Sequence, residues 1–87
     1  MNNGTLHMEK KEVLGFLNEI FIDELDNENI KLTEETTAND VEEWDSLSHI
    51  QLVVAVEKKF KIRFTSAEIH GFKNIGDMCD AIVKKTN

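Results

Sequence analysis

Trp44-Asp45-Ser46-Leu47-Ser48-His49-Ile50-Gln51-Leu52-Val53-Val54-Ala55-Val56-Glu57-Lys58-Lys59-Phe60 turns an acidic stretch into a strongly apolar helix, with a serine at the junction. Asp45 is a good N-cap, because a short carboxylate can accept from the first-turn amides, and it sets the helix start at Ser46. The helix predicted over 46–60 is about 22 Å long at the usual rise. At 100° per residue, Ile50, Val53, Val56 and Phe60 share one side, which is assigned to the core. Leu47 and Val54 project from an adjoining stripe and flank Ser46. A helix apolar around so much of its circumference is either deeply buried or presents apolar residues to something else. The Ser46 hydroxyl stands clear of the core. The first turn behind it offers unpaired N–H groups and a positive dipole end, which favours a phosphate attached to or lodged at Ser46.

Upstream, Val13, Leu14, Phe16, Leu17, Ile20, Phe21 and Leu25 recur at spacings of three and four, predicting an amphipathic helix from about Lys10 to Leu25. Lys10, Lys11, Glu12, Asn18, Glu19 and Glu24 are placed facing water. Asp26-Asn27-Glu28-Asn29 ends that helix, and Ile30 to Trp44 form a long acidic connection anchored by Ile30, Leu32, Val41 and Trp44. A loop of this length in a compact domain is usually functional. Downstream, Thr65-Ser66-Ala67-Glu68 reads as a capping box opening a short helix to about His70, stopped by Gly71. Asn74 caps a last helix from Ile75 to about Lys85, with Lys84 and Lys85 where the dipole prefers them. The expected fold is all-α: a small antiparallel four-helix bundle with a long first loop and a short third helix. Four such helices cannot bury all of the 46–60 segment.

The chain has 87 residues, room for one core and no separate catalytic domain. Residues 1–8 are polar and unpatterned, so the expectation is a flexible leader followed by one domain over 9–87. Net charge is −7, unevenly spread: eleven acids against one base (Lys31) lie between Glu19 and Asp45, whereas Lys58, Lys59, Lys61 and Arg63 cluster beyond the apolar helix. The acidic half argues against nucleic acid and anionic membrane, and for partners with basic faces. The basic cluster reads either as a binding patch or, just as well, as a solvated helix end near a negative dipole terminus. Cys79, the single cysteine, lies among Ile75, Met78, Ile82 and Val83 at helical spacing and reads as buried and unreactive. No stretch is long or apolar enough for a membrane span, so a cytoplasmic protein is expected, without membrane insertion. His7, His49 and His70 have no metal-ligand spacing. Ser46, His49 and Asp45 are close in sequence, but a triad needs a separate acid and an oxyanion hole, so no catalytic residue is assigned and His49 is read as a surface or rim residue.

Asp45-Ser46-Leu47 before such a helix resembles the attachment motif of acyl carrier proteins. The resemblance extends over about residues 10 to 85. It is most specific in Trp44-Asp45-Ser46-Leu47 through Val53-Val54-Ala55-Val56-Glu57-Lys58-Lys59-Phe60. It implies a 4′-phosphopantetheine carried covalently on Ser46, donated from coenzyme A by a phosphopantetheinyl transferase, with cargo held as a thioester for acyl-activating or acyl-transferring enzymes. It also implies a monomer whose docking face includes Asp45, Leu47, Ile50, Gln51, Val54 and Glu57. The recognition helix of the common fatty-acid type is densely acidic; here it carries Ser48, His49, Gln51, Lys58 and Lys59. That departure favours a dedicated pathway with its own loading partner. An aminoacyl or peptidyl carrier would use the same attachment chemistry, and an unmodified helical adaptor would use the same apolar edge.

Overall fold

The computed structural model describes residues 9–86; the leader expected over 1–8 and the last residue lie outside the described residues. Four helices follow one another: α1 (Lys10–Leu25), α2 (Ser46–Phe60), α3 (Ser66–Gly71) and α4 (Ile75–Thr86), with no strand among the described residues. α1 packs against both α2 and α4. It begins where the Glu9 backbone N–H donates to Glu12 Oε1 at 3.0 Å, and ends on Asp26 in the left-handed region (φ 53°). Its buried residues Val13, Leu17 and Phe21 repeat every fourth position, one stripe of the cylinder.

The long connection is pinned at the four expected anchors, since Ile30, Leu32, Val41 and Trp44 are all buried. Burying loop backbone requires partners for its polar groups. Asn18 supplies two: its Nδ2 donates to the Ile30 carbonyl at 3.3 Å, and its Oδ1 accepts the Leu32 N–H at 2.7 Å. Asn18 is therefore half-buried against the loop rather than facing water. Further on, the carbonyls of Glu34 and Thr36 accept the N–H groups of Gly76 (2.8 Å) and Ile75 (2.9 Å), so the loop itself caps the start of α4. A Cβ at position 76 would stand 3.0 Å from the Glu34 carbonyl oxygen, which is why a glycine sits at this close approach. Lys10 bonds Glu34 (2.8 Å) and Asp80 (2.9 Å), tying α1, loop and α4 together at the surface, and these hydrogen bonds hold its ammonium above the ordinary lysine range.

Within α2 the core face is Leu52, Val53 and Val56, with Ser48 above them. Ile50, expected in the core, is 52% exposed, while Leu52 is fully buried. The helix is rotated about 50° from the sequence reading at 100° per residue. Apolar residues almost all round its circumference leave periodicity unable to set the phase; packing on α1 and on the Trp44 loop sets it. Phe60 is only partly buried and meets Phe16 of α1 edge-on, at 5.8 Å between ring centres.

α3 opens with the expected box: Glu68 N–H donates to Thr65 Oγ1 (3.1 Å) and Thr65 N–H to Glu68 Oε1 (2.8 Å). It runs through Gly71, which is not left-handed; an extended Phe72 ends it. No residue of α3 is buried, and Lys85 with Glu68 (3.0 Å) and the edge-on Phe64–Phe72 pair help hold this end of the chain to the body. At α4, Asn74 Oδ1 accepts the Asp77 N–H at 2.9 Å, as the cap reading requires. Cys79 is fully buried, and burial pushes its thiol up to about 11, far from the reactive thiolate. Among the described residues no helix is long and apolar enough to cross a membrane.

Candidate functional site

The junction before α2 is built outward from Trp44. Trp44 is 5% exposed, and its ring lies edge-on to Phe21 at 5.0 Å. The indole N–H, which can only donate, reaches His49 Nδ1 at 3.1 Å. Nδ1 must accept, so the hydrogen of the neutral ring sits on Nε2, where it donates to the Ile69 carbonyl at 3.0 Å. His49 thus joins the long loop, α2 and α3. It is half-buried and bridging, more enclosed than the surface or rim place expected for it, and its occupied nitrogens leave no base for Ser46.

Asp45 caps α2 through one oxygen, Oδ1, which accepts the N–H groups of Leu47 (3.0 Å) and Ser48 (2.9 Å). Ser48 reciprocates: its Oγ accepts the Asp45 N–H at 2.8 Å and donates to the Glu43 carbonyl at 2.7 Å. The Ser48 amide is the main reason the Asp45 carboxyl lies below its usual range. These contacts correct the sequence reading in one respect. Two of the first-turn amides expected to be open to a phosphate, those of Leu47 and Ser48, are held by Asp45, which leaves the Ser46 amide and the dipole of the helix end to an anion. The structural role of Ser48 is absent from the sequence reading; serine at the third helical position after a capping aspartate is the signal that could have found it.

With Asp45 and Ser48 committed, Ser46 is left at the first position of α2 with its side chain exposed. It lies on the lip of a cleft of about 340 Å³, walled by Trp44, His49, Ile50, Ile69 and Phe72, with His70 and Lys73 at the polar edge. Beside it the helix presents Leu47 (78% exposed), Ile50 (52%) and Val54 (42%) to solvent, and Gln51 is exposed next to them. Of the remaining candidate docking residues, Asp45 is exposed but engaged in capping. Glu57 is half-buried, and its Oε2 accepts the Phe64 N–H at 2.8 Å. No group of three His, Cys, Asp or Glu side chains among the described residues could hold a metal ion.

A short helical bundle that offers one serine at a capped helix start is the form of a carrier domain, and residues 16–82 match the family model for a phosphopantetheine attachment site. The chain is 33% identical over 79 residues to an acyl carrier protein of Acidothermus cellulolyticus, covering 91% of this chain and 94% of that protein. It is 31% identical over 70 residues to an acyl carrier protein of Clostridium perfringens, covering 80% and 92%. The solution structure of a holo acyl carrier protein from Geobacter metallireducens superposes with a TM-score of 0.78 at 46% identity, covering 83% of each chain. The chain belongs to the acyl carrier protein family: it carries rather than catalyses, its prosthetic group is phosphopantetheine, and its partners are acyl-handling enzymes.

Proposed function

We propose that Ser46 bears the 4′-phosphopantetheine and that the domain passes acyl groups, held as thioesters, among the enzymes of a dedicated biosynthetic pathway. The observation that carries this reading is the exposed Ser46 hydroxyl at the first position of a helix whose start is fixed by Asp45, Ser48, Trp44 and His49. The surroundings suit such a group. A hydroxyl is free to be esterified, the dipole end of α2 and Lys73 favour an anion, and an apolar cleft lies alongside. When attached, the group supplies the thiol on which cargo is held.

A serine hydroxyl is a weak nucleophile, so a phosphopantetheinyl transferase with Mg²⁺ supplies the base and the charge neutralisation. This chain contributes a rigid helix start and a docking ridge. The capping box holds Ser46 in one place, and Leu47, Ile50 and Val54, with Gln51 beside them and Asp45 and Glu57 at the ends, meet the partner. The dedicated pathway is inferred from α2, which has no carboxylate between Asp45 and Glu57. Enzymes that grip an acidic helix with arginine and lysine find little there. We take the domain to be monomeric and cytoplasmic, spanning residues 9–87.

Intact mass after incubation with coenzyme A and a broad-range transferase tests the reading. The expected result is gain of one phosphopantetheine by the native chain and none by Ser46→Ala. No gain by a folded native chain would leave the adaptor reading. Mass spectrometry of the protein from its native host would separate acyl from aminoacyl cargo.

A further inference from the structure

Along α2 the exposed apolar ridge runs into positive charge. Leu47, Ile50, Val54 and Lys58 lie within about 80° of one another at 100° per residue, forming one line that places Lys58 about 18 Å along the helix from Ser46. Lys61 and Arg63 follow at the end of the helix, where Val54, Glu57, Lys58, Lys61, Ile62 and Arg63 line a groove of about 560 Å³. Among the described residues the ion pairs are those of Lys10 and Lys85, so Lys58, Lys61 and Arg63 face solvent without one. Lys59 is turned off the line, its Nζ 4.9 Å from the centre of the Phe16 ring on α1. Glu57, the one acid in the groove, is drawn to the Phe64 N–H.

The helix dipole explains why lysines are tolerated at this end, but it does not neutralise three cations beside an exposed apolar ridge. Other occupants fit less well. Nucleic acid and an anionic membrane are negative throughout and are repelled by the net charge of −7, whereas a protein surface can set a few carboxylates opposite the cluster alone. An acyl-handling enzyme is the partner class already established for the family.

We propose that the enzyme loading this carrier docks on α2 with an apolar socket beside its active-site mouth and a cluster of carboxylates that begins about 18 Å away and reaches to about 23 Å, the span set by the helix rise from Ser46 to Lys58 and Lys61. The socket receives Leu47, Ile50 and Val54, and the carboxylates pair with Lys58, Lys61 and Arg63. The proposal rests on Ser46 as the attachment residue, because the distance is counted from there.

The test uses the host enzyme that loads the holo-protein, purified by following thioester formation, with the native chain and a Lys58→Glu, Lys61→Glu, Arg63→Glu variant. Mass spectrometry first checks that both take up phosphopantetheine, and circular dichroism that both fold. The charge-reversed chain should raise KM about tenfold or more at low salt with kcat little changed. Added salt should raise KM for the native chain and leave the variant nearly flat. A milder Lys58→Gln, Lys61→Gln, Arg63→Gln variant should fall between. Normal phosphopantetheine uptake with an unchanged or lowered KM would overturn the docking proposal alone. So would salt-sensitive self-association or vesicle binding lost in the variant. No uptake by either chain would overturn the Ser46 assignment and this proposal with it.

Discussion

At the scale of single residues, the imidazole of His49 has the widest reach. It accepts from one element and donates to another, so its removal exposes two defects at once: an unpaired indole N–H on buried Trp44 and an unpaired carbonyl at Ile69. Leaving a buried donor without an acceptor costs about 1–3 kcal/mol. His49→Ala should therefore lower the free energy of unfolding by roughly that amount in a urea titration. His49→Gln keeps one acceptor and one donor on a planar group and should lose less. Equal losses would show that the ring contributes packing alone. Ser46→Ala, by contrast, removes an exposed hydroxyl with no structural partner and should leave stability within about 0.5 kcal/mol while abolishing modification. Leu47→Ala and Val54→Ala belong with it: their exposure predicts weaker transfer to partners with little loss of fold. Marked unfolding of either would contradict that exposure.

The elements repeat the point at larger size, because local chemistry fixes where a helix begins more firmly than which way it faces. α2 ends on Lys61 with φ 57°, a left-handed conformation that a side chain enters only at the expense of about 1–2 kcal/mol. Lys61→Gly should relieve most of it and raise stability by about 1 kcal/mol, read as a higher melting temperature. A drop would mean that the lysine stem packs usefully on the groove. Leu52→Ala and Val53→Ala should each destabilise, the former by about 2–5 kcal/mol because Leu52 is wholly enclosed. Helix limits, the capping roles of Asp45, Thr65 and Asn74, and the four loop anchors were legible in the sequence because each is a short-range rule with a distinctive residue type. The phase of α2 was not legible: with apolar residues on nearly every side, Ile50 and Leu52 are equivalent until α1 and the Trp44 loop choose between them. The role of Asn18 was hidden for a related reason. Its partners, Ile30 and Leu32, lie across a turn in a segment without periodicity. At the site, Ser46 stood out from its cap and its apolar neighbours, but the Trp44–His49–Ile69 bridge depends on where α3 lands.

For the molecule as a whole, protonation equilibria separate the caps from the core. Asp45 and Glu68 both lie below the usual carboxylate range, each chiefly through a backbone N–H at its capping site. A depressed acid contributes stability above its unfolded value near 4, and that contribution is lost as pH falls through the lower folded value. Acid should therefore loosen the starts of α2 and α3 first, as faster amide exchange there. On the alkaline side the direction reverses. Lys10 is raised by Glu34 and Asp80, so its contribution is present below its ordinary value and is lost as pH rises through the folded one. Cys79 is raised by burial from 9.0 to about 11. Between those values the unfolded chain gives up the thiol proton and the folded chain keeps it, so folding weakens as pH rises. The chain has no tyrosine, which leaves this window unusually clear. Each pH unit across which only the folded chain holds the proton weakens folding by about 1.4 kcal/mol, so the native chain should lose about 2 kcal/mol between about pH 8 and 10.5. Cys79→Ala should start lower, having lost buried volume, yet decline far less over the same interval. Parallel declines in the two chains, measured by urea unfolding at each pH, would show that the folded bundle lets the thiol ionise, since the Lys10 contribution is lost only above its ordinary value.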